Sequence, residues 1–197
     1  MRIGIDFDNT IICYDQVFCH LANSQGTKRE VRDAIRALPD GDIVWQRMQG
    51  KAYGELIHQA SLFTGFKEFV AACNANPAIE LFIVSHKTEL GHFDEKRINL
   101  RDAARRWLRE QGFFDKNLPH IPENHVFFET TREEKIARIN TLQCTHFIDD
   151  LVEVLESPLF PTHIERYLFQ PLADNIQPVK LKQYSNWTDI THAIFAH

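Results

Sequence analysis

Two aspartates one residue apart, Asp6 and Asp8, close an apolar run that reads Ile3-Gly4-Ile5-Asp6-Phe7-Asp8-Asn9-Thr10. Alternate side chains of a strand share a face, so the two carboxylates can point the same way. A buried strand delivering two acids to its tip needs a chemical or metal-binding reason, because unpaired buried charge is costly. Three more segments carry matching groups. Ile83-Val84-Ser85-His86-Lys87-Thr88 places a hydroxyl at the end of a second apolar run. There, Ser85 and backbone amides entering a helix can bind a phosphate oxygen, or the serine can simply cap that helix. Lys135 falls in the first turns of a helix expected from Thr131 onward. A cation there opposes the helix dipole, so it is either solvated or reaching an anion. Thr145-His146-Phe147-Ile148-Asp149-Asp150-Leu151 is a third apolar run ending in acids. Asp150-x-x-Glu153 has capping-box spacing. Asp149 has no such explanation, and acids at a strand tip invite a divalent cation such as Mg2+, which prefers oxygen ligands.

These groups must be positioned by an α/β framework. Short apolar runs at Arg2 to Phe7, Ile79 to Val84, Val126 to Phe128, His146 to Ile148 and Tyr167 to Phe169 read as buried strands. Helical patterns separate most of them. Leu100, Ala103, Ala104, Trp107 and Leu108 keep helical spacing, with Asp94 and Glu95 ahead of them and Gly112 as a C-terminal stop. Thr130-x-x-Glu133 and Thr131-x-x-Glu134 both announce the next helix. Alternation of this kind predicts a Rossmann-like parallel sheet with helices on both faces, whose ligands bind beyond the C-terminal strand ends. From Pro158 onward a last strand and a closing helix are expected, with Trp187 and Phe195 packed on the core.

Residues 13–61 break the alternation. Thr27-x-x-Glu30 starts a helix with Val31, Ala34, Ile35 and Leu38 on one face, Pro39-Asp40-Gly41 ends it, and another helical stretch is expected near Glu55 to Leu62. This segment reads as a small α-helical insertion over the sheet edge, leaving 1–12 and 62–197 as the core. Arg29, Arg32 and Arg36 share one face of it and either recognise a second part of a ligand or form a solvated face with Trp45 packed inside. Arg97, Arg101, Arg105 and Arg109 read as a solvated face of the later helix.

Composition narrows the partners. A net charge of -5 argues against a generic nucleic-acid binder. No apolar run reaches the ~18 residues of a membrane span, and no signal peptide is expected behind Met1-Arg2. Cys13, Cys19, Cys73 and Cys144 form no CxxC pair, consistent with reduced thiols in the cytoplasm. The histidines show no zinc spacing.

The order strand-Asp-x-Asp-x-Thr, strand-Ser, helix-Lys, strand-Asp-Asp resembles the haloacid dehalogenase-like (HAD) hydrolase superfamily from Met1 to about Glu156. Gly65-Phe66-Lys67-Glu68-Phe69 looks like that family's return from cap to core. The resemblance implies that Asp6 is a nucleophile attacking phosphorus and that Asp8 is the acid and base. It implies Mg2+ held by Asp6, Asp8 through its main-chain carbonyl, and Asp149, with Asp150 or Glu153 as a further ligand. Ser85, His86 through its amide and Lys135 would bind the phosphoryl group, with Thr10 beside them ordering the Asp8 loop. Dehalogenases of the superfamily generally lack the second aspartate, and the Lys-Thr-Gly-Thr signature of P-type ATPases is absent. The implied activity is Mg2+-dependent hydrolysis of a small phosphorylated metabolite, a sugar phosphate or nucleotide, through an aspartyl-phosphate. A phosphotransferase and a non-catalytic phosphate- or metal-binding regulator are the alternatives.

Overall fold

The computed structural model describes residues 1–93, 96–171 and 180–195. Six strands form one all-parallel sheet: β1 (Arg2–Ile5), β4 (Glu80–His86), β5 (Val126–Glu129), β6 (His146–Asp149), β7 (Glu165–Phe169) and β8 (Lys182–Tyr184). Their spatial order is β5-β4-β1-β6-β7-β8, so the first strand lies in the middle. Ile5 pairs with Ile83 of β4 and with Ile148 of β6, which aligns the ends of the three strands that carry Asp6, Ser85 and Asp149. β8 is one strand more than the C-terminal stretch was expected to add.

Period-2 alternation splits the core between the two faces of the sheet. Ile3, Ile5, Leu81 and Ile83 face one apolar cluster, with Trp107, Phe128 and Trp187. Phe82, Val84, Phe147 and Leu168 face the other, with Ile136 and Ile139 of α6 (Arg132–Thr141). Gly4 also points to the second cluster: a Cβ there would meet Phe147 Cδ2 at 2.6 Å and Cε2 at 2.8 Å. The glycine is what allows Phe147 to lie against the central strand.

α4 (Phe66–Asn74), α5 (Leu100–Glu110) and α8 (Trp187–Phe195) complete the first cluster, and the short α7 (Val152–Leu155) belongs to the second. Asn99 caps α5, accepting from the amides of Arg101 and Asp102. The expected acidic lead-in, Asp94 and Glu95, lies outside the described residues. Gly112 has a φ of 86°, just past the helix end. Trp187 is fully buried among Phe66, Phe69 and Phe169, and its indole Nε1 donates to the carbonyl of Thr10 at 3.0 Å.

Between β1 and α4 stand β2 (Ile12–Cys13), α1 (Asp15–Ala22), α2 (Lys28–Arg36), α3 (Gly41–Tyr53) and β3 (Ser61–Leu62). The two short strands pair antiparallel, closing the base of the helical segment. The capping box of α2 is formed by Thr27 and Glu30. The stretch expected to be helical near Glu55 to Leu62 is instead a 3-10 turn at Ile57–Gln59 followed by β3, while α3 ends at Tyr53. Of the apolar face expected on α2, Val31 is buried and Leu38 is exposed, since the helix ends at Arg36. Trp45 is buried and stacks on Phe18 with centroids 4.6 Å apart. No helix among the described residues is long and apolar enough to cross a membrane.

The Gly4 contact yields a direct test. Gly4→Ala forces the Phe147 ring out of its place and is expected to cost about 1–3 kcal/mol. Chemical denaturation followed by tryptophan fluorescence would show the midpoint falling; an unchanged midpoint would mean that Phe147 repacks freely.

Candidate active site

The tips of β1, β4 and β6 and the start of α6 converge on one cavity of about 390 Å³. Asp6 follows β1 directly, and its amide donates to the carbonyl of Ile148 at 2.9 Å, so β6 holds the backbone of the acid. Lys135 sits one turn into α6, whose capping box is formed by Thr131 and Glu134. Its side chain is 2% exposed and Nζ donates to Asp6 Oδ1 at 2.6 Å and to Asp149 Oδ2 at 2.7 Å. The lysine that opposes the helix dipole therefore reaches two carboxylates, each near the tip of a different strand.

Ligand-capable oxygens of Asp6, Asp149 and Asp150 all lie within 4.8 Å of one another. Burial raises the pKa of Asp149, against the pull of Lys135 and with a further push from Asp6. Burial raises Asp150 well above the ordinary carboxylate range, with Asp6 and Asp149 adding repulsion. Burial lowers Lys135, but Asp149 and Asp6 outweigh it and the ammonium is held charged. One lysine thus leaves the acids under-neutralised. An all-oxygen donor set short of positive charge fits a hard divalent cation.

Asp150 does not cap a helix. α7 begins after Leu151, without a side-chain cap, and the amide of Leu151 donates to Asp149 Oδ1 at 3.1 Å. Glu153 is exposed and stands outside the three-acid cluster. Ser85 is buried, lines the cavity and has no hydrogen-bond partner for its Oγ. β4 continues to His86 and the Lys87 amide donates to the carbonyl of Glu129, so no helix begins after Ser85; the expected helix opens only at Leu100. His86 and His92 both border the cavity. Burial lowers the pKa of His86, and the nearby charges of Lys135 and Arg132 lower it further. Thr10 is fully buried behind the loop, with its Oγ1 unpartnered and its carbonyl held by Trp187.

Asp8 lines the same cavity, but its carboxylate is not one of the three clustered acids. Tyr14 donates its hydroxyl to Asp8 Oδ1 at 2.7 Å. Lys87 Nζ lies 3.0 Å from Oδ1 and 2.8 Å from Oδ2. Asn9 follows with a φ of 61°, and its side-chain oxygen accepts from Lys28 Nζ at 2.9 Å. Lys28 also donates to the Tyr53 hydroxyl at 2.9 Å and lies near the rings of Tyr14, Phe18 and Tyr53. Burial lowers its pKa, but Tyr53, Asp150 and Asp8 outweigh this and raise it overall. Lys28, Lys87, Tyr14 and Tyr53 were not singled out from the sequence. The signals were available: Lys87 stands two residues past Ser85, on the same side of an extended chain. Lys28 opens a helix, where the dipole disfavours a cation just as it does at Lys135.

Of the arginine row, Arg97 and Arg109 are exposed as expected, while Arg101 and Arg105 are half-buried. Arg101 donates to the carbonyl of Lys87 at 2.9 Å and to Thr130, and Arg105 donates to the carbonyl of Val126 at 2.8 Å. Arg97 precedes the helix altogether. On α2, Arg36 pairs with Asp42 at 2.6 Å and Arg32 with Asp33 at 2.8 Å.

No family model matches the chain. A Bacillus cereus protein named, provisionally, as a nucleotidase is 24% identical over 196 residues, spanning 96% of each chain. A haloacid dehalogenase-like hydrolase from Streptococcus pneumoniae superposes over 98% of this chain and 97% of its own with a TM-score of 0.58 and 13% identity. The fold is that of the HAD-like hydrolases. A phosphoserine phosphohydrolase-like protein from Francisella tularensis gives a TM-score of 0.57 at 13% identity, over 98% of this chain and 99% of its own. In this HAD-like fold the four sequence motifs meet at one sheet edge.

The acid cluster predicts a metal-dependent gain in stability. Mg2+ at 100 times its dissociation constant would add about 2.7 kcal/mol, a rise of several degrees in the thermal midpoint. Asp150→Asn is expected to lose most of that rise in a thermal-shift titration. Equal shifts in the variant and the parent would exclude Asp150 as a ligand.

Proposed function

We propose that the chain is a Mg2+-dependent phosphatase acting on a small phosphomonoester through an aspartyl-phosphate on Asp6. The observation that carries this reading is Lys135 bridging Asp6 and Asp149 in a cavity that also holds Asp150, Asp8 and the unpartnered hydroxyl of Ser85. The HAD-like fold and the names of the similar proteins support it.

A carboxylate oxygen of Asp6 attacks phosphorus while the bond to the leaving oxygen breaks, and that oxygen takes a proton from Asp8. Asp8 then takes a proton from water as the water oxygen attacks phosphorus. The bond to Asp6 breaks, releasing phosphate and restoring the carboxylate. Lys135 spends two of its three N–H donors on Asp6 and Asp149, leaving one for a phosphoryl oxygen. The Ser85 hydroxyl offers another. A Mg2+ held by Asp6, Asp149, Asp150 and the main-chain carbonyl of Asp8 supplies, when bound, positive charge for the phosphoryl oxygens.

We read residues 13–61 as the cap of this enzyme and the remainder as its core. The cap side of the cavity carries Lys28, Gln46, Gln49 and Tyr53, all polar at their tips. Such a wall suits a hydroxylated leaving group, as in a sugar phosphate or a nucleotide. The name of the Bacillus cereus relative favours the nucleotide. Four unpaired thiols suit a reducing compartment, so we assign the enzyme to the cytoplasm.

With p-nitrophenyl phosphate, turnover is expected to require Mg2+ and to vanish in Asp6→Asn. Asp8→Asn is expected to trap a phosphoenzyme that breaks down slowly, seen as added phosphate by mass spectrometry of quenched samples. Turnover surviving in Asp6→Asn would remove Asp6 as the nucleophile and with it the covalent route.

A further inference from the structure

The cavity holds a second buried lysine that the phosphoryl chemistry above does not use. The Lys87 side chain is 2% exposed, and its Nζ contacts both oxygens of Asp8. Its backbone is fixed on both sides: the amide donates to the carbonyl of Glu129, and the carbonyl accepts from Arg101 Nε at 2.9 Å. Its Nζ lies over two aromatic rings, 5.5 Å from the Phe7 centroid and 4.9 Å from that of Tyr53. Tyr14, fully buried, reaches Asp8 Oδ1 from the other side at 2.7 Å. A carboxylate with a charged donor on both oxygens and a rigid hydroxyl on one has little freedom to rotate. Both donors come from outside the Asp6–Thr10 segment, one from the tip of β4 and one from the start of the helical insertion. The loop backbone is closed by its own bonds, Asn9 N to the Ile12 carbonyl and Ile11 N to the Phe7 carbonyl, so the two outside donors act on the Asp8 side chain.

We propose that Lys87 and Tyr14 are positioning residues that brace the Asp8 carboxylate for proton transfer. This rests on the reading of Asp8 as acid and base. Neither brace residue is needed for Asp6 to meet phosphorus, since Asp6 is held by Lys135 and β6. Losing the brace therefore weakens the step that leans hardest on Asp8. With p-nitrophenyl phosphate the leaving group is stable as an anion and needs little protonation. Water attack on the phosphoenzyme has no such help and depends on Asp8 to draw off its proton.

The test is steady-state and rapid-quench kinetics on Lys87→Met, Lys87→Arg and Tyr14→Phe with p-nitrophenyl phosphate and saturating Mg2+. Displacing a catalytic group by an ångström costs on the order of 100-fold, so kcat of Lys87→Met is expected to fall by about that factor. KM should fall along with kcat, leaving kcat/KM near the parent value because the steps up to the phosphoenzyme are untouched; a burst of p-nitrophenol should appear, and phosphoenzyme should accumulate. Lys87→Arg should recover part of the rate, and Tyr14→Phe should show a smaller burst of the same kind. The Mg2+-induced thermal shift should match the parent. An unchanged kcat in Lys87→Met, or a loss of kcat with no phosphoenzyme, would overturn the proposal. If Lys87→Met does not fold, the other two variants decide: parent-like breakdown of the phosphoenzyme in Tyr14→Phe would overturn it equally. Asp6→Asn in parallel separates the two levels. Turnover that survives there sinks the reading of Asp6 as nucleophile and the covalent route, whereas Asp6-dependent turnover indifferent to Lys87 sinks only the brace.

Discussion

Lys135 carries its charge into the protein interior because two carboxylates wait for it there. Asp6 and Asp149 belong to different strands, and without a cation between them their repulsion would push the tips of β1 and β6 apart. The ammonium binds both at hydrogen-bond distance. Breaking such a buried arrangement by removing one partner typically costs about 3–5 kcal/mol, most of it the penalty of the charge left behind. The same constraint dictates where α6 begins. Its capping box places the helix start at Thr131, and one turn later the lysine is over the sheet edge.

Register does the remaining alignment. Parallel pairing of Ile5 with both Ile83 and Ile148 brings three strand ends level, so groups far apart in sequence share one edge. The apolar residues beneath them alternate between two clusters, one on each face of the sheet. The helical segment over that edge contributes differently. It supplies Tyr14 to Asp8 and Lys28 to Asn9, with Tyr53 holding Lys28, and so connects the wall of the cavity to the Asp8–Asn9 loop.

Much of this was legible because strong local signals agreed with the global pattern. Apolar runs ending in acids marked β1 and β6, and two capping boxes marked α2 and α6. A lysine in the wrong place for a helix dipole pointed to an anion partner. Lys28 broke the same rule and went unread, since its partners are a loop amide and a tyrosine that no spacing connects to it. Lys87 went unread because a helix was expected after Ser85; strand pairing through Glu129 keeps the chain extended there. α3 escaped notice because it opens on Gly41 and contains Gly50, which weaken any helical pattern. Arg101 and Arg105 read as solvated because each reaches a backbone carbonyl, and a carbonyl has no letter in the sequence.

The bond from Trp187 to the carbonyl of Thr10 joins positions 177 residues apart. Its consequence concerns time rather than geometry. All four motifs emerge before α8 does, yet the loop carrying Asp8 is fastened from behind by a side chain of α8. Ribosomal synthesis runs from N- to C-terminus, and contacts of such long range form late. A growing chain therefore carries every acid and lysine of the candidate site before it carries the tryptophan that holds the Asp8 loop from behind.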